Sequence, residues 1–66
     1  MKVTVNGEPR EIPADTSVAQ LIRQVTDQQT GIAVAVNGEV VPRRGWPATA
    51  LGDGDQVEVV TAVQGG

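Results

Sequence analysis

Two Asn-Gly dipeptides, Asn6-Gly7 and Asn37-Gly38, constrain the fold of this chain more than any other feature. Both residues of such a pair tolerate positive φ, which the tight turns between antiparallel strands require. Each pair follows an alternating apolar segment. Lys2 to Asn6 places Val3 and Val5 on one face. Ile32-Ala33-Val34-Ala35-Val36 alternates large residues with alanine, as expected of a strand whose bulky face packs and whose small face is closely covered or near an edge. The returning strands are expected at Glu8 to Ile12 and from Glu39 to Pro42, which closes the second. Pro9 argues for an edge position, because proline has no N–H for the ladder.

Between the two hairpins the period changes. Pro13-Ala14-Asp15-Thr16 breaks the strand pattern, Ser17 reads as a helix N-cap, and Gln20 three residues later completes a capping box. Val18, Leu21, Ile22 and Val25 form one apolar stripe at helical spacing. The helix is expected from Val18 to Thr26 or Gln28, with Gly31 as its stop. Further on, Gly45 and Pro47 predict an irregular segment from Arg43 to Ala50. Gly52-Asp53-Gly54-Asp55 reads as a tight turn before the last strand, Gln56 to Val60. There Val57 and Val59 share a face, and Val60 makes the other face partly apolar.

The order is therefore strand, strand, helix, strand, strand, strand. Pairing the first and last strands side by side buries both valine faces under the helix, with a right-handed crossover. The expected fold is α+β: a β-grasp (ubiquitin-like) roll, a mixed sheet of about five strands with one main helix on one face. Its final strand is central and points the C-terminus outward. Residues 1–60 are expected to form a single domain and residues 61–66 a flexible tail ending in Gly-Gly.

Composition narrows the function. A 66-residue chain buries only about 60% of its unfolded surface, so its core is thin. With no cysteine and no histidine it has neither disulfides nor the usual zinc ligands. It also lacks the common general base and the common thiol nucleophile, and it has no tyrosine and a single lysine, Lys2. A catalytic site would have to be built from Asp, Glu, Arg, Ser and Thr, which argues against an enzyme. The net charge of −3 argues against nucleic acid as a partner. No apolar run approaches the roughly 20 residues that span a bilayer. The N-terminal segment does not read as a signal peptide, so a cytoplasmic protein without a membrane partner is expected.

The remaining reactive group is the end of the chain, Thr61-Ala62-Val63-Gln64-Gly65-Gly66. Fully extended, it would reach roughly 20 Å, enough to thread a partner's active site while the body docks outside. A carboxylate that attacks the α-phosphate of ATP must enter a narrow channel. Glycine has no side chain to block that channel and adopts backbone angles closed to other residues. It also leaves the acyl carbon unhindered for a sulfur or nitrogen nucleophile. Glycine makes up 8 of the 66 residues, so composition alone puts two at the end only about 1.5% of the time. A strand pattern leading into that end makes a frayed terminus the weaker account.

Several segments together resemble a known family. They are Val5-Asn6-Gly7-Glu8, Thr16-Ser17-Val18-Ala19-Gln20-Leu21, Ala33-Val34-Ala35-Val36-Asn37-Gly38, Val41-Pro42-Arg43-Arg44-Gly45-Trp46, Leu51-Gly52-Asp53-Gly54-Asp55, Val57-Glu58 and Ala62-Val63-Gln64-Gly65-Gly66. Over essentially its whole length the chain resembles the ThiS-type sulfur carriers of thiamin biosynthesis. The resemblance implies a protein co-substrate, with no bound cofactor of its own. A ubiquitin-activating-like adenylyltransferase would use ATP and magnesium to adenylate Gly66. A sulfurtransferase or cysteine desulfurase relay would replace AMP with sulfur. Thiazole synthase would accept sulfur from the Gly66 thiocarboxylate. The carriers of molybdopterin synthase share the fold and tail but typically have a phenylalanine-rich surface, and this chain has no Phe. Carriers for other sulfur metabolites, or a ubiquitin-like interaction module without tail chemistry, are the alternatives.

Gln64 and Gly65 are thus expected to thread the partner's channel behind Gly66. The apolar surface from Val57 through Val59 to Val63 is the expected docking face, because the tail must emerge beside it. Trp46 either anchors a partner or caps the core beside Pro42 and Pro47. Arg43 and Arg44 either meet acidic groups on the adenylating enzyme or form a solvated loop. Asp53 and Asp55 lack the further ligands of a calcium loop and read as turn chemistry.

Overall fold

The computed structural model describes residues 1–27 and 30–61. Its elements run β1 (Lys2–Val5), β2 (Glu8–Glu11), α1 (Val18–Val25), β3 (Ile32–Val36), β4 (Glu39–Val41), a 3₁₀ helix (Arg43–Ala48) and β5 (Gln56–Thr61). The five strands form one mixed sheet in the order β2-β1-β5-β3-β4. β1 and β5 pair in parallel, while the β1–β2, β3–β4 and β3–β5 pairs are antiparallel. This is the expected mixed sheet with one helix, and its last strand is central.

Both Asn-Gly pairs make two-residue hairpins. Asn6 and Gly7 have φ of 50° and 84°, and Asn37 and Gly38 have 51° and 84°. The flanking pairs are Val5 with Glu8 and Val36 with Glu39. Positive φ at both central residues is what a type I′ turn requires, and its twist matches that of the strands it joins. Pro9 lies on β2 at the sheet edge, opposite Thr4.

The helix starts where its cap dictates. The Ser17 hydroxyl accepts from the Gln20 amide at 3.1 Å, and the Gln20 side chain accepts from the Ser17 amide at 2.9 Å. The Val18 amide is satisfied by the Thr49 carbonyl at 2.9 Å, which ties the helix start to the segment after the 3₁₀ turn. The helix ends at Val25, with Thr26 already extended at φ −155°. It therefore stops well before Gly31, and Gln28 lies outside the described residues. Val25 is the last residue of the stripe, so beyond it no apolar side chain favours another turn.

The core lies between α1 and one sheet face. Val18, Leu21 and Ile22 pack on Val3, Val5, Val34 and Val57, with Ile12, Trp46 and Leu51 closing the ends. The irregular segment expected at Arg43 to Ala50 is mostly a 3₁₀ helix that packs against α1. The Gly45 amide donates to the Pro42 carbonyl at 2.8 Å, the i to i+3 bond of such a helix. Pro47 is tolerated because a short 3₁₀ turn asks few N–H groups to donate. Ser17→Ala removes the cap acceptor and is expected to cost about 1 kcal/mol, measured as a lower urea midpoint at unchanged m-value.

Candidate functional site

The expected reactive residues Gly66, Gly65 and Gln64 lie outside the described residues, as does Val63 of the expected docking face. What the structure describes is the sheet that precedes them in sequence, and β5 forms its spine. Thr4 N donates to Asp55 O at 3.0 Å, and Asn6 N donates to Val57 O at 2.9 Å, which fixes the parallel ladder to β1. On the other flank β5 pairs with β3 from Val57 opposite Val36 to Thr61 opposite Ile32. The strand is thus paired on both sides as far as Val57, and from there to Thr61 its backbone pairs with β3.

Alternation along β5 sorts its side chains between two faces. Val57 is 1% exposed and belongs to the core under α1, so the docking role expected of it is corrected: no partner can reach it. Val59, on the same side, is half-buried and packs against the core. Val60 points the other way and is 56% exposed. It faces Ala33 across the β3–β5 pair, while Val40, 73% exposed, faces Ala35 across β3–β4. These four residues and Glu58 line a shallow apolar depression of about 140 Å³ on the sheet face away from the helix. The sequence carried the signal in its period of two, since Val60 alternates with Val57 and Val59, and Ala33 and Ala35 with the bulky residues of β3.

A second groove, of about 290 Å³, opens on the helix side of the sheet beside the end of β5. Val5, Val25, Ile32 and Val59 form its apolar floor, and Glu8 and Arg10 stand on its wall. It runs from the helix end to the last described residues of β5.

Trp46 is 7% exposed, and its indole Nε1 donates to the Val41 carbonyl at 2.8 Å. Of its two expected roles, Trp46 takes that of capping the core rather than presenting itself to a partner. Arg43 is exposed, and its guanidinium carbon sits 5.2 Å from the Trp46 ring centroid, a cation–π contact that covers the indole. Arg44 is exposed as well. Both arginines belong to the 3₁₀ helix, which packs on α1, so the structure does not bring them together with Val40 and Val60 on the opposite face.

The acidic turn has a structural role. Asp53 Oδ1 accepts from the Lys2 amide at 2.8 Å, and Asp55 Oδ2 accepts from the Gly52 amide at 2.7 Å. Among the described residues no three or more Asp or Glu side chains converge as metal ligands would, and no helix is long and apolar enough to cross a membrane.

The ThiS family matches residues 3–66 of the chain. The sulfur carrier protein ThiS of Escherichia coli is 32% identical over 66 residues, covering the whole of both chains. A thiazole synthase of Paramagnetospirillum magneticum is 35% identical over the 66 residues of this chain, which make up 20% of that protein. The crystal structure of the thiamine biosynthesis protein ThiS from Geobacter metallireducens superposes with a TM-score of 0.88 at 35% identity, covering 100% of both chains.

With Trp46 in the core, Trp46→Ala is expected to destabilise the fold by about 3–5 kcal/mol, enough to unfold much of a domain this small. Arg43→Ala should cost under about 1 kcal/mol. Thermal melts of the two variants check the assignment, and a Trp46→Ala midpoint at the wild-type value would return the indole to the surface.

Proposed function

The chain belongs to the ThiS family, and from that membership we propose that it is a sulfur carrier of thiamin biosynthesis whose C-terminal glycine ends as a thiocarboxylate. The observation that carries this reading is the end-to-end match to a sulfur carrier of the same length, on a fold whose central strand is followed in sequence by five residues ending in Gly65-Gly66. A terminal α-carboxyl is ionised at neutral pH, so Gly66 offers an anionic oxygen. In the proposed chemistry that oxygen bonds to the α-phosphorus of ATP, and the bond to pyrophosphate breaks. The partner adenylyltransferase, of the ubiquitin-activating type, supplies the ATP site and magnesium. The terminal sulfur of a persulfide borne by a sulfurtransferase or cysteine desulfurase relay attacks the acyl carbon, and the bond to AMP breaks, giving an acyl disulfide. A thiol reductant then attacks the relay's sulfur and breaks the S–S bond: the thiol is oxidised to a disulfide with the relay, and the thiocarboxylate remains on Gly66. The chain is a co-substrate regenerated each cycle. Dependence on ATP locates the reading in the cytoplasm.

Thiazole synthase is the proposed acceptor. Its support is the relative in which a segment like this chain forms part of a thiazole synthase. A carrier and an acceptor held in one chain need a surface that fits both, and tethering raises their effective concentration. The proposed contact on the separate chain is the apolar depression of Ala33, Ala35, Val40 and Val60, one residue from the end of β5. Gly65 and Gln64 then occupy the partner's channel.

Incubation with the adenylating enzyme, ATP and a sulfide source is expected to replace one oxygen of Gly66 by sulfur, read by intact-mass spectrometry. Deleting Gly66 should leave the melting temperature unchanged and abolish the product. A product still formed after that deletion defeats the reading. Val40→Thr and Val60→Thr together keep the β-branched shape while adding hydroxyls. They should weaken binding to thiazole synthase about tenfold in titration calorimetry without altering the melt. An unchanged Kd would put the docking face elsewhere.

A further inference from the structure

We propose that Asn6 is a positioning residue for the C-terminal tail: its carboxamide holds β5 where the strand outruns its β1 neighbour and so sets the direction in which the tail leaves the sheet. The proposal rests on the reading that the tail is the activated group.

Backbone support from β1 ends early. Its last bond to β5 runs from Asn6 N to Val57 O at 2.9 Å, after which the chain turns back through Gly7. β5 continues to Thr61. On a strand, the groups that point to one neighbour recur every second residue, so the next pair facing β1 belongs to Val59. The Asn6 side chain takes both. Its Nδ2 donates to Val59 O at 3.0 Å, and its Oδ1 accepts from Val59 N at 2.8 Å. One carboxamide thus supplies the donor and acceptor that a further β1 residue would have supplied. Without it, the strand end would be held from the β3 side alone, through Ala33 with Val60 and Ile32 with Thr61.

In the proposed reaction the body is docked and the tail would be held extended in the partner's channel, so an error at its base would be carried to its end. Five residues follow Thr61, and extended they span about 17 Å. With the body docked, a tilt of about 10° at the base shifts the far end of such a span by about 3 Å. A reacting atom displaced by 1 Å already costs up to about a hundredfold.

The choice of side chain is specific. At φ 50°, glycine, aspartate and asparagine all suit the turn. Only asparagine carries both a donor and an acceptor. Asn37 provides a matched control. It has φ 51° in the second Asn-Gly turn, and its Oδ1 accepts from Gln56 N at 3.0 Å, at the start of β5 far from the tail. Its Nδ2 donates to Asp55 Oδ1 at 3.0 Å.

The test compares wild type, Asn6→Gly, Asn6→Asp and Asn37→Gly in steady-state thiocarboxylate formation with the adenylating enzyme, ATP and sulfide, the carrier being the varied substrate. Both Asn6 variants should lower kcat about tenfold while the KM for carrier stays within about twofold. Asn37→Gly should lose comparable thermal stability and keep the wild-type kcat. A purely structural role would instead raise the apparent KM of all variants through loss of folded carrier. The proposal is overturned by a wild-type kcat in either Asn6 variant, by an equal kcat loss in Asn37→Gly, or by unfolding of both Asn6 variants. If wild type itself yields no thiocarboxylate, the carrier reading falls and takes this proposal with it. A loss confined to the Asn6 variants of a competent carrier separates the two.

Discussion

The hydrogen-bonding of β5 on both flanks is the constraint on which the rest of this structure depends. Each half of the chain supplies one hairpin, and an isolated two-stranded hairpin is at best marginally stable in water. Within the sheet only β5 joins them, in parallel with β1 and antiparallel with β3. The parallel pair brings residues 4–5 against 56–57, from opposite ends of the fold, so it closes only once everything between has been placed. Val57, under α1, then completes a core that neither hairpin could bury alone. A fold with such a thin core and no disulfide has little else to bind its halves.

The same strand divides structure from function by its period of two. Residues facing α1 serve stability: Val57 is fully buried and Val59 half-buried. Residues facing away, such as Val60, remain available to a partner. β5 is also the last of the described elements, and four residues separate its end from Gly66. On the proposed reading, a body lacking histidine and cysteine leaves the chemistry to the chain's terminus and keeps the tasks of folding and docking.

Much of this was legible because it is local. Asn-Gly needs positive φ whatever surrounds it, Ser17 and Gln20 cap each other across three residues, and Pro9 cannot donate in any sheet. The stripe Val18, Leu21, Ile22 and Val25 and the faces of β1 and β3 follow from period alone. What was not legible depends on distant parts. Gly45 and Pro47 read as breakers, yet the segment forms a 3₁₀ helix because Trp46 finds a buried site and a carbonyl partner at Val41. The burial of Val57 against its expected docking role, and the choice of the core for Trp46 over a partner, follow from which face α1 covers, and alternation gives two faces without saying which partner each meets. The carboxamide bonds of Asn6 span 53 residues and belong to no local motif.

The exposed valines show what the fold gives up. A single surface valine needs no explanation. Here Val40 and Val60 lie on either side of β3, with Ala33 and Ala35 between them, so the small residues of that strand lay a continuous apolar floor rather than isolated spots. Burying one valine contributes about 1.5–3 kcal/mol, a large fraction of what a domain this small can hold in reserve. Val40 and Val60, on the face away from the helix, gain little of that burial, and polar residues in their place would have cost the sheet little. Glu58 beside them and a net charge of −3 oppose self-association through the patch. On the proposed reading this apolar floor, which includes part of β5 itself, is covered only while the carrier is docked. A carrier that must release each partner would gain from a small patch of this kind, since a larger one would bind too tightly to let go.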